Sequence, residues 1–372
     1  MAVTTRDLRI LQPRPSSIVA ALYTLRDLDV DVAILHGPPG CCFKHSRLLE
    51  EDGLRVVTTA MCDSDYVFGG HDLLVEVIRR SVEMFQPRTI GIVGTCASMI
   101  IGENFHRAVE DADPGVPVIE VDVHAGFGDN TYGVIVTLEA AVRAGLLEGG
   151  ECERQRRMLE RATELEKLAG AASGEYIKPS RGDLKYRCAD RLIELIRQGK
   201  QGVSVLNAKK ETAYMFADVN LALATTAKTL GAPIPPLIAN LDTAVGLPRI
   251  RRYASVITTE MAGQGVEVDH LTGGLDEYPV AGDKAGDLLR KHYRDADYVV
   301  ISGVPHAVPW EAIEGKEVFS VTNGPRTVEP LKSRGHQHVM VEVDLHSRTL
   351  GVSHMVESEF GATLRDLAGG RK

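Results

Sequence analysis

Six cysteines, Cys41, Cys42, Cys62, Cys96, Cys152 and Cys188, are the residues of this 372-residue chain whose type and placement most suggest chemistry. None form a C-x-x-C pair, so neither a zinc ribbon nor a thioredoxin-type dithiol is indicated. Any metal they hold must be assembled by the fold. Apolar runs at 32–35, 55–59 and 89–94 read as buried strands, and each ends shortly before a cysteine. Cys41 and Cys42 close the segment His36-Gly37-Pro38-Pro39-Gly40-Cys41-Cys42, Cys62 follows the second run, and Cys96 follows the third. In an open parallel sheet the loops after the strands gather at the carboxyl edge, where ligands bind. Four cysteines far apart in sequence therefore become neighbours, and thiolates grouped in this way hold iron–sulfur clusters, usually four at a time. The Gly-Pro-Pro-Gly turn keeps side-chain bulk away from such a ligand. Cys96 leads into a helix whose first N–H groups favour a thiolate or an anionic cluster. The competing reading is packing, because buried cysteine is among the commonest core residues. Cys42 suits packing into the helix after Cys41, and Cys62 is individually open to the same reading. Cys152 and Cys188 fall on predicted helices away from this edge and are read as incidental.

The elements that position these cysteines alternate. Helices are predicted from Pro15-Ser16-Ser17 to about 28, through Ser46 to Glu51, over 73–85 and over 98–112; a fourth strand is predicted over 117–123, followed by His124 and Gly126. Strands separated by helices imply parallel pairing and a doubly wound sheet. Residues 151–169, rich in Glu, Arg and Leu, read as an exposed amphipathic helix, and 170–182 as a connector. Further strands are expected at 203–206, 236–241, 298–302, 317–321 and 338–344. The fold class is α/β, with two or more doubly wound parallel-sheet domains and a helical connector. The expected divisions are 1–148 for the cluster-binding domain, 149–200 for the connector, and 201–372 for a second α/β region on the substrate-pocket side.

Bulk properties narrow the function classes. The hydrophobic fraction of 44% and charged fraction of 25% are ordinary for a globular chain. A formal charge of −9 lacks the basic footprint of a nucleic-acid binder. No run approaches the ~18 apolar residues of a membrane span. The polar start, with Arg6, Arg9 and Arg14, has no apolar core of a secretion signal, so a cytoplasmic, reducing setting is expected. Gly37 to Cys42 has the look of a phosphate loop without its Gly-Lys-Ser/Thr ending, and no Gly-x-Gly-x-x-Gly follows the first strand. Neither ATP nor NAD should bind in the usual ways.

Three segments resemble the catalytic, α-type subunits of the nitrogenase superfamily. His36-Gly37-Pro38-Pro39-Gly40-Cys41 is similar to that family's His-Gly-Pro-x-Gly-Cys cluster loop. Val67-Phe68-Gly69-Gly70, followed by Leu73, is similar to its Val-Phe-Gly-Gly stretch. Thr95-Cys96-Ala97 with Ile100-Ile101-Gly102-Glu103-Asn104 resembles its Cys-x-x-x-Leu-Ile-Gly-Asp-Asp stretch, and His124-Ala125-Gly126-Phe127-Gly128 its Glu-Gly-Phe-x-Gly loop. The chain lacks a cysteine upstream of Cys41, so the resemblance implies a 4Fe–4S cluster rather than the eight-iron double cluster of the larger subunits. Later segments, Lys209-Lys210-Glu211-Thr212-Ala213, Ile234 to Leu241 and Gly246-Leu247-Pro248-Arg249, look like the smallest branch, whose single catalytic subunit serves coenzyme F-430 biosynthesis.

That resemblance implies an ATP-dependent reductive cyclase. Its substrate would be the nickel tetrapyrrole Ni-sirohydrochlorin a,c-diamide, reduced at the ring and closed to a lactam. ATP would be used by a nitrogenase-type iron protein that passes electrons to this chain, which would act as a homodimer. Cys41 and Cys96 are the expected cluster ligands, with Cys42 and Cys62 as further candidates. Arg249, Arg251 and Arg252 could grip substrate carboxylates by forked hydrogen bonds, or form a solvated helix face. His124 and His306 could deliver protons, histidine exchanging them near neutrality, or merely cap loops. Lys209 and Glu211 could form a structural ion pair. Two other functions stay open: another nitrogenase-like reductase, acting on a chlorophyll precursor or small sulfur compound, and a non-catalytic metal or tetrapyrrole carrier.

Overall fold

The computed structural model describes residues 15–126, 130–168, 176–342 and 348–370. Expectations that rest on Arg6, Arg9, Arg14, Phe127 and Gly128, and on 169–175 and 343–344, lie outside the described residues. The chain divides into two compact units. The first comprises Arg14–Glu160 and Leu247–Arg249; the second includes Arg161–Gly246 and Ile250–Lys372.

The first unit holds strands β1 (Val32–Leu35), β2 (Arg55–Thr58), β3 (Ile90–Val93) and β4 (Val118–Val121). They pair in parallel in the order β2-β1-β3-β4. Its helices are α1 (Ser17–Asp27), α2 (Phe43–Glu51), α3 (Asp63–Phe68), α4 (His71–Phe85), α5 (Cys96–Ile101), α6 (Phe105–Ala112) and α7 (Asn130–Arg143), and α8 (Gly149–Leu168) begins here. Side chains alternate across a strand, and the two faces separate accordingly. Ala33 and Leu35 pack with Leu22 and Leu25 of α1 and with Ala140 and Ala141 of α7. Val32 and Ile34 pack with Leu74 and Ile78 of α4 and with Phe105 and Ala108 of α6. Coverage of both faces explains why β1 and β3 are apolar throughout.

The second unit holds β5 (Gly202–Asn207), β6 (Leu237–Ala239), β7 (His270–Leu271), β8 (Tyr298–Gly303), β9 (Glu317–Thr322) and β10 (His338–Val341). Their order is β10-β9-β8-β5-β6-β7, again parallel. Its α-helices include α9 (Lys185–Arg197), α10 (Ala213–Thr229), α11 (Pro248–Gly263), α12 (Tyr278–His292), α13 (Val328–Ser333) and α14 (Glu359–Ala368). Ala285 and Leu289 of α12 pack on Val203, Val205, Val299 and Ile301. The fold is therefore α/β with two doubly wound parallel sheets, as the sequence predicts.

Three details differ from expectation. The single helix expected over 98–112 is two helices, broken where Gly102 adopts φ +69° and Asn104 caps α6 by accepting from Arg107 N–H. Helix α3 was not foreseen, because it buries no residue and so shows no apolar periodicity. Strand β7 is only two residues long.

Candidate functional site

In each sheet the strand order reverses at one point, and such a point leaves a crevice at the carboxyl ends of the two strands beside it. In the first sheet that point lies between β1 and β3. The loops leaving them are His36–Cys42 and Gly94–Cys96, so topology brings together the two segments that carry Cys41, Cys42 and Cys96. Thr95 fastens them. Its hydroxyl donates to the His36 carbonyl at 2.9 Å and accepts from Ala97 N–H at 3.2 Å, while its own N–H donates to Ser98 Oγ at 2.8 Å. Gly37 has to be glycine here, since a Cβ would stand 2.5 Å from Thr95 Oγ1. Pro38 O accepts from Cys41 N–H at 3.1 Å, closing the turn that presents Cys41.

The thiols differ in character. Cys96 is exposed at the start of α5, and its Sγ accepts from Ala125 N–H at 3.4 Å. Cys41 is half-buried; burial raises its thiol pKa first, and the nearby Cys96 raises it further. Cys42 packs against the α1/α7 core, and burial pushes its thiol up to about 11. Cys62 is exposed, with Sγ 3.1 Å from Ser64 Oγ. Cys152 and Cys188 are buried in α8 and α9. Among the described residues no three His, Cys, Asp or Glu side chains gather at metal-binding distance. Cys41 and Cys96 thus fit an iron–sulfur cluster in donor type and accessibility, as half of a four-thiolate set.

A buried polar network underlies the same loop. His36 is fully buried, and its Nε2 lies 3.3 Å from Glu103 Oε2 while its Nδ1 lies 3.1 Å from Thr59 Oγ1. Glu103 also accepts from Gly70 N–H at 3.2 Å and stands 3.8 Å from His71, which meets Asp111 at 2.8 Å. Burial holds the His36 pKa below its ordinary value, against the pull of Glu103. No sequence motif marks this network as such. Glu103 stands in the quoted Ile100–Asn104 segment, but its partners are dispersed.

The remaining candidates fall in different places. His124 is half-buried, with Nδ1 accepting from Gly126 N–H at 3.0 Å. Arg249 is engaged structurally: it reaches Asp29 Oδ1 and Asp52 Oδ2, each at 3.3 Å, and Asp52 O at 2.8 Å. Arg251 and Arg252 are exposed on α11. His306 is buried in the second unit, with Nε2 3.1 Å from Glu166 Oε1. Lys209 lies over the Tyr278 ring, 5.1 Å from its centroid, with Glu166 and Glu211 within electrostatic reach. Lys209 and Glu211 therefore belong to a wider cluster rather than to the simple ion pair expected. Neither Glu166 nor Tyr278 was legible as a site residue: Glu166 lay in a segment read only as an exposed amphipathic helix, and Tyr278 stood in no motif.

The family pattern of the nitrogenase component 1 type oxidoreductases matches residues 16–157. A protein of Methanosarcina acetivorans named "Ni-sirohydrochlorin a,c-diamide reductive cyclase complex, component CfbD" is 58% identical over 98% of this chain and 99% of its own length. The chain belongs to the CfbD family. The CfbD of Methanocaldococcus jannaschii, 43% identical over 95% of this chain and 98% of its own, carries the same name. Likeness to the nitrogenase molybdenum-iron protein alpha chain of Clostridium pasteurianum is local, 35% identity over 23% of this chain and 19% of that one. Among solved structures, "Nitrogenase Cp1 at pH 6.5" aligns with a TM-score of 0.36 and 14% identity, covering 90% of this chain and 94% of that one. For a CfbD family member, the stretch matched by the nitrogenase pattern contains Cys41, Cys42, Cys62 and Cys96. Among the described residues no helix is long and apolar enough to cross a membrane.

Proposed function

We propose that this chain is the cluster-bearing catalytic component of an ATP-dependent reductive cyclase that acts on Ni-sirohydrochlorin a,c-diamide in coenzyme F-430 biosynthesis. Near-complete coverage at 58% identity to a protein of that name carries the reading. Its chemical support is the Cys41 and Cys96 pair, held at the reversal point of the first sheet. Cys41 and Cys96 hold a 4Fe–4S cluster, and a second copy of the chain supplies the other two thiolates, as a symmetric dimer places equivalent residues opposite each other. Ala125 N–H bonds to the Cys96 sulfur and helps to fix it. Cys42, whose thiol burial pushes up to about 11, and Cys62, with Sγ beside Ser64 Oγ, stay outside the ligand set in this reading. When bound, the cluster supplies the ring with electrons that it receives from an iron protein using ATP.

The chain's own residues bind the substrate and move protons. Arg251 and Arg252 grip carboxylates of the tetrapyrrole, while Arg249 donates to Asp29 and Asp52 instead. His124 holds a proton near the cysteine edge, and His306, oriented by Glu166, holds another in the second unit. Closing the lactam requires the amide side chain to be held against the macrocycle, which is a positioning task. The chain works in the cytoplasm, where the thiols stay reduced.

Two measurements test the proposal. After anaerobic reconstitution, Cys41→Ser and Cys96→Ser should each lose most of the iron that the unaltered chain retains; full iron in both variants refutes the ligand assignment. The unaltered chain should shift the absorption bands of Ni-sirohydrochlorin a,c-diamide on titration. A cluster-loaded chain that accepts electrons from the iron protein yet binds none of this tetrapyrrole would belong to a different reductase.

A further inference from the structure

The second sheet reverses order between β5 and β8, just as the first does between β1 and β3. The loops at that point carry Lys209 and His306. They are drawn close together: Gly303, at φ +108°, leaves its missing Cβ only 2.3 Å from Asn207 O, and Val304 N–H donates to Asn207 O at 2.7 Å. Tyr278 lies at the centre. Asn207 Nδ2 donates to its carbonyl at 3.0 Å, the Lys209 ammonium covers its ring, and Val304 and Ala307 on either side of His306 pack against it.

Three polar groups around Tyr278 have unspent capacity. Asn207 Oδ1 and His306 Nδ1 are buried with no hydrogen-bond partner. Among the described residues no hydrogen bond or salt bridge reaches the Lys209 ammonium. Buried polar atoms are nearly always paired, so two orphans at one sheet edge mark a place for a ligand. Lys210, next to Lys209, adopts φ +49°, a left-handed conformation uncommon outside glycine, and such strain clusters at ligand clamps.

The types of the orphans select the ligand. His306 Nε2 lies 3.1 Å from the Glu166 carboxylate, which accepts, so a singly protonated ring carries its proton there and offers Nδ1 as an acceptor, like Asn207 Oδ1. The ammonium is a donor. Two acceptors and one donor suit a primary carboxamide, whose NH2 gives two hydrogen bonds while its C=O takes one. A carboxylate would leave both acceptors unpaired and would meet Glu166 and Glu211. We propose that Asn207, Lys209 and His306 form a carboxamide-binding site that selects an amidated tetrapyrrole over the corresponding acid. This rests on the tetrapyrrole reading above.

The test is a binding titration of the cluster-loaded chain with Ni-sirohydrochlorin a,c-diamide and, separately, with Ni-sirohydrochlorin, which lacks the amides. The unaltered chain should prefer the diamide by about 10- to 100-fold, the range of a hydrogen bond with a charged partner. In Asn207→Asp and Lys209→Met the preference should shrink to about threefold or less; Lys209→Met should retain iron content and melting temperature, whereas Asn207→Asp, which loses the donor to the Tyr278 carbonyl, should retain iron with a lower melting temperature. Lys209→Met carries the test if Asn207→Asp does not fold. Equal binding of the two tetrapyrroles by the unaltered chain overturns the site while leaving the proposed function standing. So does a preference unchanged in the variants, the result expected if the orphans merely hold an ordered water. Binding of neither tetrapyrrole overturns the function and the site together.

Discussion

At the scale of single residues, burial decides which charged groups remain available for chemistry. Arg26 is fully buried, and its guanidinium reaches Asp27 at 2.6 Å and Asp52 at 2.9 Å. Asp52, itself buried, also takes Arg249 at 3.3 Å. Breaking a buried pair by removing one partner costs about 3–5 kcal/mol, because the remaining charge stays buried and uncompensated. Asp52→Ala should therefore lower the stability of the first unit by about 3 kcal/mol, Asp27 retaining part of the Arg26 charge. Calorimetry would show it as a fall of several degrees in melting temperature, and an unchanged melting curve would return Arg249 to the list of free substrate-binding groups. This ion cluster was invisible in the sequence for a plain reason. Asp29 and Asp52 precede Arg249 by about two hundred positions, and Gly-Leu-Pro-Arg followed by two more arginines reads equally as a binding patch or a wet helix face. The placement of Cys41 and Cys96 at one sheet edge was legible because their position relative to strands, rather than their pairing, carried the information. The orphan acceptors of Asn207 and His306 had no sequence signal, since an unpaired atom is a property of packing.

At the scale of elements, the sequence predicted strands more faithfully than helix ends. The apolar runs that became β1, β3, β5 and β8 are buried on both faces, so their hydrophobicity is continuous and their length short. Helix boundaries depended on caps hidden inside motifs: Gly102-Glu103-Asn104 looked like helix interior and proved to be a break that lets Glu103 reach His36. Close approach between helices was equally hidden. Gly133 lies within α7, where an added Cβ would stand 2.2 Å from the Ser17 carbonyl oxygen of α1. Helix propensity alone favours alanine over glycine by about 1 kcal/mol in a helix interior. Here the contact atom is backbone, so the helices must separate, and overpacking typically costs about 1–3 kcal/mol. Gly133→Ala should destabilise the first unit, opposite in sign to the propensity effect. A denaturant midpoint raised by the substitution would show that α1 and α7 are not packed this closely in solution.

At the scale of the whole molecule, the two sheets share one plan: each reverses order once, and each places chemically active residues at that reversal. The first presents thiols, the second a cluster of Lys, Tyr, His, Asn and Glu, and neither carries the sequence of a nucleotide-binding loop. The division of labour proposed for the complex follows. The chain should hydrolyse no ATP in anaerobic solution without its iron protein, and appreciable turnover by the isolated chain would contradict that division. The half-set of thiolates makes a second claim on the same preparation. Four thiolates are the usual complement of a 4Fe–4S cluster. If Cys41 and Cys96 are the ligands of each copy, one cluster serves two chains, and reconstituted protein should approach about two irons per chain. It should run as a dimer, and Cys96→Ser should lower its iron while leaving the half-buried Cys42 and the core beside it undisturbed. About four irons per chain in a monomer would require a complete ligand set within each chain, drawing in Cys42 and Cys62. That outcome would demand that Cys42 leave the α1/α7 core and that the Cys62 loop swing from Ser64, both measurable as changed thiol labelling on loading with iron.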